Sequence, residues 1–153
     1  MPTINFSTGS DVIVPSNNGT TSRGLAGDDI YIISEAVKQN AKITIVDTSG
    51  NNKIQLIDGL TIASSKIASN AVQLTLKNGA VITINGASNF IFEISGNATT
   101  GKVGEDKTFE EFAIYLGLDS LPTKGTDEGN TNITIGIDTV DNSDTPDNSN
   151  NNN

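Results

Sequence analysis

Apolar and polar residues alternate with a period of two along three stretches in the middle of the chain. Val72, Leu74 and Leu76 alternate with Gln73, Thr75 and Lys77. Ala80, Ile82 and Ile84 alternate with Val81, Thr83 and Asn85, and Phe90, Phe92 and Ile94 with Ile91, Glu93 and Ser95. That period puts successive side chains on opposite faces, so each stretch predicts a half-buried strand. Five further strands are expected at Thr3–Phe6, Asp11–Val14, Asp29–Ser34, Lys42–Val46 and Lys53–Ile57. Asn78-Gly79, set between two alternating runs, predicts a hairpin with a type I′ turn, which needs φ > 0 at both central residues.

One helix is expected near residue 110. Thr108, with Glu111 three residues on, forms a capping-box pattern. Phe109, Phe112, Ala113 and Leu116 follow at helical spacing, and Gly117 suits the position after the helix. Its Phe pair is expected to plug one end of a β-core. The loop from Gly96 to Asp106 reads as solvated, its Glu105 and Asp106 favouring the helix N-terminus. Asp47 reads as a turn residue first and a ligand second.

The chain from Gly24 to Ile32 reads Gly-Leu-Ala-Gly-Asp-Asp-Ile-Tyr-Ile. It fits the nonapeptide Gly-Gly-x-Gly-x-Asp-x-apolar-x of a parallel β-roll at every specified position but Leu25. Gly24 and Gly27 permit turn conformations closed to other residues. Asp29 offers a carboxylate to a hard cation, with Asp28 at the variable position adding charge. Tyr31 is expected to point inward. A weaker copy lies 18 residues upstream, where Gly9, Asp11 and Ile13 hold the places of Gly27, Asp29 and Tyr31. A third echo, Gly50-Asn51-Asn52, is out of that register and carries Asn52 in place of the acid.

In this order of elements the stretch from Gly24 to Leu121 resembles a module of large RTX-type, hemolysin-type calcium-binding proteins. Such modules recur in bacterial S-layer proteins, adhesins and other products of type I secretion. The resemblance implies Ca²⁺ as cofactor, with Gly27 and Asp29, then Gly9 and Asp11, as calcium-site positions. Only one nonapeptide is near-complete, and the family's long glycine-rich array is missing.

Composition narrows the function. The chain of 153 residues has no Cys, His or Trp, and its net charge is −9. Lacking His and Cys, it has no material for most zinc, haem, iron–sulfur or thiol chemistry, nor for His-based acid–base catalysis. The negative charge argues against nucleic acid or an anionic membrane as partner. The N-terminus shows no basic region followed by an apolar run, and no apolar stretch is long enough for membrane insertion. Paired acids at Asp28/Asp29, Glu105/Asp106, Glu110/Glu111 and Asp127/Glu128 are sequence neighbours that need not converge on a substrate, so no enzyme is expected.

Residues 124–153 read as an acidic linker ending in an Asn-rich, disordered tail. They carry six acids and one base, so −5 of the −9 charge lies there. Within them, residues 131–138 form an amphipathic strand in which Ile133, Ile135 and Ile137 alternate with Thr134, Gly136 and Asp138. A strand on a tether folds back on its own domain, opens a further domain, or adds to the sheet of the next subunit and so builds a filament.

The expectation is therefore an all-β chain. Residues 1–123 form a short parallel β-roll, β-solenoid-like or sandwich body, with a hairpin and one short capping helix. Its expected role is that of a secreted, calcium-dependent structural subunit of a cell-surface fibre, S-layer, adhesin or biofilm matrix that associates with itself. The alternative is a calcium-binding accessory module of a secreted hydrolase. A carbohydrate-binding module is disfavoured by the scarcity of exposed aromatic residues.

Overall fold

The computed structural model describes residues 2–97 and 99–136 and has an all-β body with one short helix. Its first half winds between two sheets. Strands β1 (Thr3–Asn5), β3 (Thr20–Arg23) and β5 (Lys42–Val46) lie in the first sheet. Strands β2 (Val12–Ile13), β4 (Ile30–Ile33) and β6 (Asn52–Ile57) lie in the second. Each pairs in parallel with the next strand of its own sheet, which makes three stacked coils of a parallel roll. An antiparallel hairpin, β7 (Thr61–Ala68) and β8 (Ala71–Leu76), then interrupts the winding. A fourth coil resumes it: β9 (Val81–Asn85) joins β5, and β10 (Phe90–Gly96) joins β6, both in parallel.

Inward positions stack in register. Ile43 lies between Thr20 and Ile82, and Ile54 between Tyr31 and Phe92. Alternation along each strand sends these residues into one core and leaves their neighbours outside. On the outer face of the second sheet, Lys53 bridges Glu93 at 3.1 Å and Asp106 at 3.3 Å.

The far end of the roll is closed. Strand β11 (Glu105–Lys107) pairs with β10, and helix α1 (Phe109–Tyr115) packs beside it. The capping box forms as the sequence predicts: Thr108 Oγ1 accepts from the Glu111 N–H at 3.2 Å, and Glu111 accepts from the Thr108 N–H at 2.9 Å. At the other end Gly117 takes φ 110°, and the Leu118 and Gly117 N–H groups bond the Ala113 and Ile114 carbonyls. That is a Schellman closure. Phe112 stacks on Phe92 at 4.4 Å, and Phe109 lies 5.8 Å from the same ring, so the Phe pair does close the core. Glu105 and Asp106 do not serve the helix N-terminus. They sit on β11, and the acids of the first helical turn are Glu110 and Glu111.

Several strands lie where no alternation announces them. In β3, Thr20 and Ser22 face the core although neither is apolar. In β7 a bulge between Ile62 and Ser64 breaks the parity, so Ile62, Ser65 and Ile67 are the buried residues. The Asn78-Gly79 hairpin exists but is not a type I′ turn, because only Gly79 has positive φ. The Gly79 N–H bonds the Leu76 carbonyl, and the Leu76 N–H bonds the Ala80 carbonyl. This is a three-residue loop with a glycine bulge.

The segment read as linker joins the body. Strands β12 (Asp127–Glu128) and β13 (Ile133–Thr134) both pair antiparallel with β7. Ile135 is completely buried, and its N–H bonds the Leu60 carbonyl. The expected assembly strand thus pairs in cis through Ile133 and Ile135, while Ile137 and the Asn-rich tail lie outside the described residues.

Candidate cation site at the stacked turns

The turns from β1 to β2, β3 to β4 and β5 to β6 stack directly on one another. Glycines form one column of the stack. A β-carbon on Gly27 would collide with the carbonyl of Gly9, and one on Gly50 with the carbonyl of Gly27. Gly27 and Gly50 also take φ of 98° and 84°. The third echo is therefore in structural register. Its sequence offset grows to 23 residues because the loop between β4 and β5, at the opposite end of the roll, is longer than the one between β2 and β3. Leu25, the one departure from the nonapeptide, takes φ 69°. It keeps the left-handed turn that glycine would adopt without strain.

Asp11, Asp29 and Asn52 form a second column, each just before or at the start of a second-sheet strand. Asp29 Oδ1 accepts from the Asp11 N–H at 2.8 Å, and Asn52 Oδ1 from the Asp29 N–H at 2.9 Å. One side-chain oxygen per coil thus satisfies the backbone of the coil below. Asp11 itself accepts from the Ser7 N–H at 3.0 Å and from the Ser7 hydroxyl at 2.9 Å. Asp28 is exposed, and its Oδ1 accepts from the Asn51 N–H at 2.9 Å. The carboxylate of Asp28 fastens turn to turn, and that of Asp11 closes its own turn.

Of the acids in the stacked column, Asp29 turns a carboxylate oxygen into the interior. The residue is completely buried, and its Oδ2 has no hydrogen-bond donor. Asp47, also buried, approaches it from the end of β5. Asp47 Oδ2 accepts from the Tyr31 hydroxyl at 2.8 Å. The two carboxylates and the hydroxyl meet over the bare α-carbon of Gly24, where a β-carbon would strike all three. Tyr31 points inward as expected and packs edge-on against Phe90 at 5.9 Å.

Two buried carboxylates side by side disfavour ionisation. The Asp29 carboxyl is pushed up to about 6, chiefly by burial; the Asp11 N–H opposes that shift and the neighbouring Asp47 adds to it. Burial, then the bond to Asp47, raises the Tyr31 hydroxyl as well, so it stays protonated and donates.

Among the described residues no group of three or more acidic, His or Cys side chains gathers at one point. The donors that do converge are two carboxylates and a hydroxyl, all hard oxygens, which fit Ca²⁺ in kind. Of the positions expected from sequence, Gly9, Asp11, Gly27, Asp28 and Asp29 all belong to the stacked turns, but only Asp29 enters the interior cluster. Asp47 and Tyr31 complete it. The signal for Asp47 was the parity of its strand: Ile43 and Ile45 face inward, and position 47 continues that face. No helix among the described residues is long and apolar enough to cross a membrane. Compared with protein-family models, curated proteins and solved structures, the chain matches none.

Proposed function

We propose that the chain is a calcium-stabilised structural module of a secreted surface or matrix protein, acting through its edges and through self-association. The observation that carries this reading is the asymmetry of the roll. One end is sealed by β11 and α1. At the other, β1 and β2 are the outermost strands of both sheets, with Ile4, Val12 and Val14 exposed by 41%, 66% and 50%. Uncapped strand edges beside apolar side chains are where a further strand adds. With β13 paired in cis, the open end is the surface to which we assign the contact between copies.

Calcium would couple folding to location. Where the ion is scarce, the buried carboxylates repel each other and weaken the fold; where it is abundant, binding to the native state alone stabilises it. Size-exclusion chromatography with light scattering, with and without millimolar calcium, tests the proposal. Calcium-dependent assemblies that Val12→Lys and Val14→Lys disperse are the expected result. A monomer under both conditions overturns self-association.

A further inference from the structure

We propose that the cation sits inside the roll, between Asp29 and Asp47 over Gly24, and not in the outer turns formed by Asp11 and Asp28. This rests on the calcium reading above and gives the ion a place. The outer carboxylates are engaged with protein donors: Asp11 with both groups of Ser7, Asp28 with the Asn51 N–H. Asp28 is exposed and Asp11 half-buried, so both are within reach of solvent.

The interior pair differs on each count. Asp29 is fully buried and Asp47 is 2% exposed, so solvent cannot screen them. Asp29 Oδ2 lacks any donor, and a buried anionic oxygen without a partner is costly. A cation between the two carboxylates removes both the repulsion and the orphaned oxygen. Gly24 lets the three oxygens converge on its bare α-carbon, since a β-carbon there would collide with each of them. The donors are oxygens only, which selects a hard divalent ion over a soft one. Asp29 comes from the start of β4 in one sheet and Asp47 from the end of β5 in the other. An ion held by both adds a link between the two sheets to the covalent turns and to the Tyr31–Asp47 hydrogen bond.

The test uses the full chain with calcium chloride as probe and reads the calcium midpoint of thermal stabilisation. Asp47→Asn and Asp29→Asn are expected to raise that midpoint by about tenfold or more, since each removes one ligand charge. Asp11→Asn and Asp28→Asn are expected to leave it within about threefold, their carboxylates being outside the shell. The reverse ranking overturns the interior site while keeping the calcium reading. No stabilisation of the wild type by calcium overturns that reading itself. Circular dichroism in chelator confirms that each variant folds. Terbium gives a second readout: emission sensitised by Tyr31 should vanish in Tyr31→Phe and persist in Tyr115→Phe, and persistence in Tyr31→Phe places the ion elsewhere.

Discussion

The carboxylates of Asp29 and Asp47 lie side by side inside the roll, both sealed from solvent, beside the bare backbone of Gly24. A conventional stabilising pair joins opposite charges. This one joins like charges, so its effect on the fold depends on what neutralises it.

In chelator the neutralising agent is a proton. The Asp29 carboxyl rises from 3.8 to about 6 in the folded chain, so between those values the folded state holds a proton that the unfolded state releases. Its contribution is complete below about pH 4 and is lost as pH rises through about 6. Metal-free stability, followed by urea denaturation, should fall across that window. Asp29→Asn should flatten the fall. The amide keeps an oxygen for the Asp11 N–H, as Asn52 does for Asp29 one coil on.

Gly24→Ala should destabilise the fold by about 1–3 kcal/mol, the usual cost of overpacking. Its β-carbon meets both carboxylates and the Tyr31 hydroxyl, and all three belong to buried side chains with little room to move. Gly19→Ala is the control, because a β-carbon there meets nothing and only the strain of φ 79° remains. Equal losses in the two variants would remove the packing argument.

Leu25→Gly should raise stability by up to about 1 kcal/mol, the left-handed penalty of an L-residue less the added chain entropy of glycine. The turn already has the glycine-like geometry at φ 69°, so no backbone change is needed. Equilibrium denaturation of the two chains measures it.

Phe112→Ala should cost about 3–5 kcal/mol. Its ring is stacked on Phe92, and rings continue through Phe90 to Tyr31, so the loss at the capped end reaches the carboxylates by direct contact. Thr108→Ala should cost only about 1 kcal/mol, the value of one N-cap. A reversed order would mean that the helix, and not the rings, closes the end.

Deleting residues 131–153 should lower the melting temperature, because it strips β13 from β7 and uncovers the site that Ile135 fills. Ile135→Ala alone should cost about 2–5 kcal/mol. An unchanged melting temperature in the deletion would show that the strand lends the body nothing.

The all-β fold, the helix and its cap were legible because each rests on local pattern: alternation in β8 to β10, and the Thr108–Glu111 spacing. The turn column at Gly9 and Gly27 was legible from an 18-residue repeat. Strands β3 and β7 were hidden, one because Thr and Ser occupy inward positions, the other because a bulge resets the parity. Asp47 was hidden for a different reason. It pairs with Asp29 only once β5 has been laid beside β3, a consequence of stacking that no short window contains. The hairpin at Asn78-Gly79 was legible, but its type I′ reading failed because one positive φ, not two, satisfies a three-residue loop.

Between one sheet and the next across the stacked turns, the first three coils keep the same count of residues: Thr21 to Ile30 matches Thr44 to Lys53 and Thr3 to Val12. The return loops at the opposite end obey no such rule, and the one from Ser34 to Ala41 is the longer, anchored by the buried Val37. One rim of the molecule is therefore metrically fixed and the other is free to vary in length. A peptide inserted between Glu35 and Gln39, on either side of that anchor, would be displayed without disturbing the register of any coil.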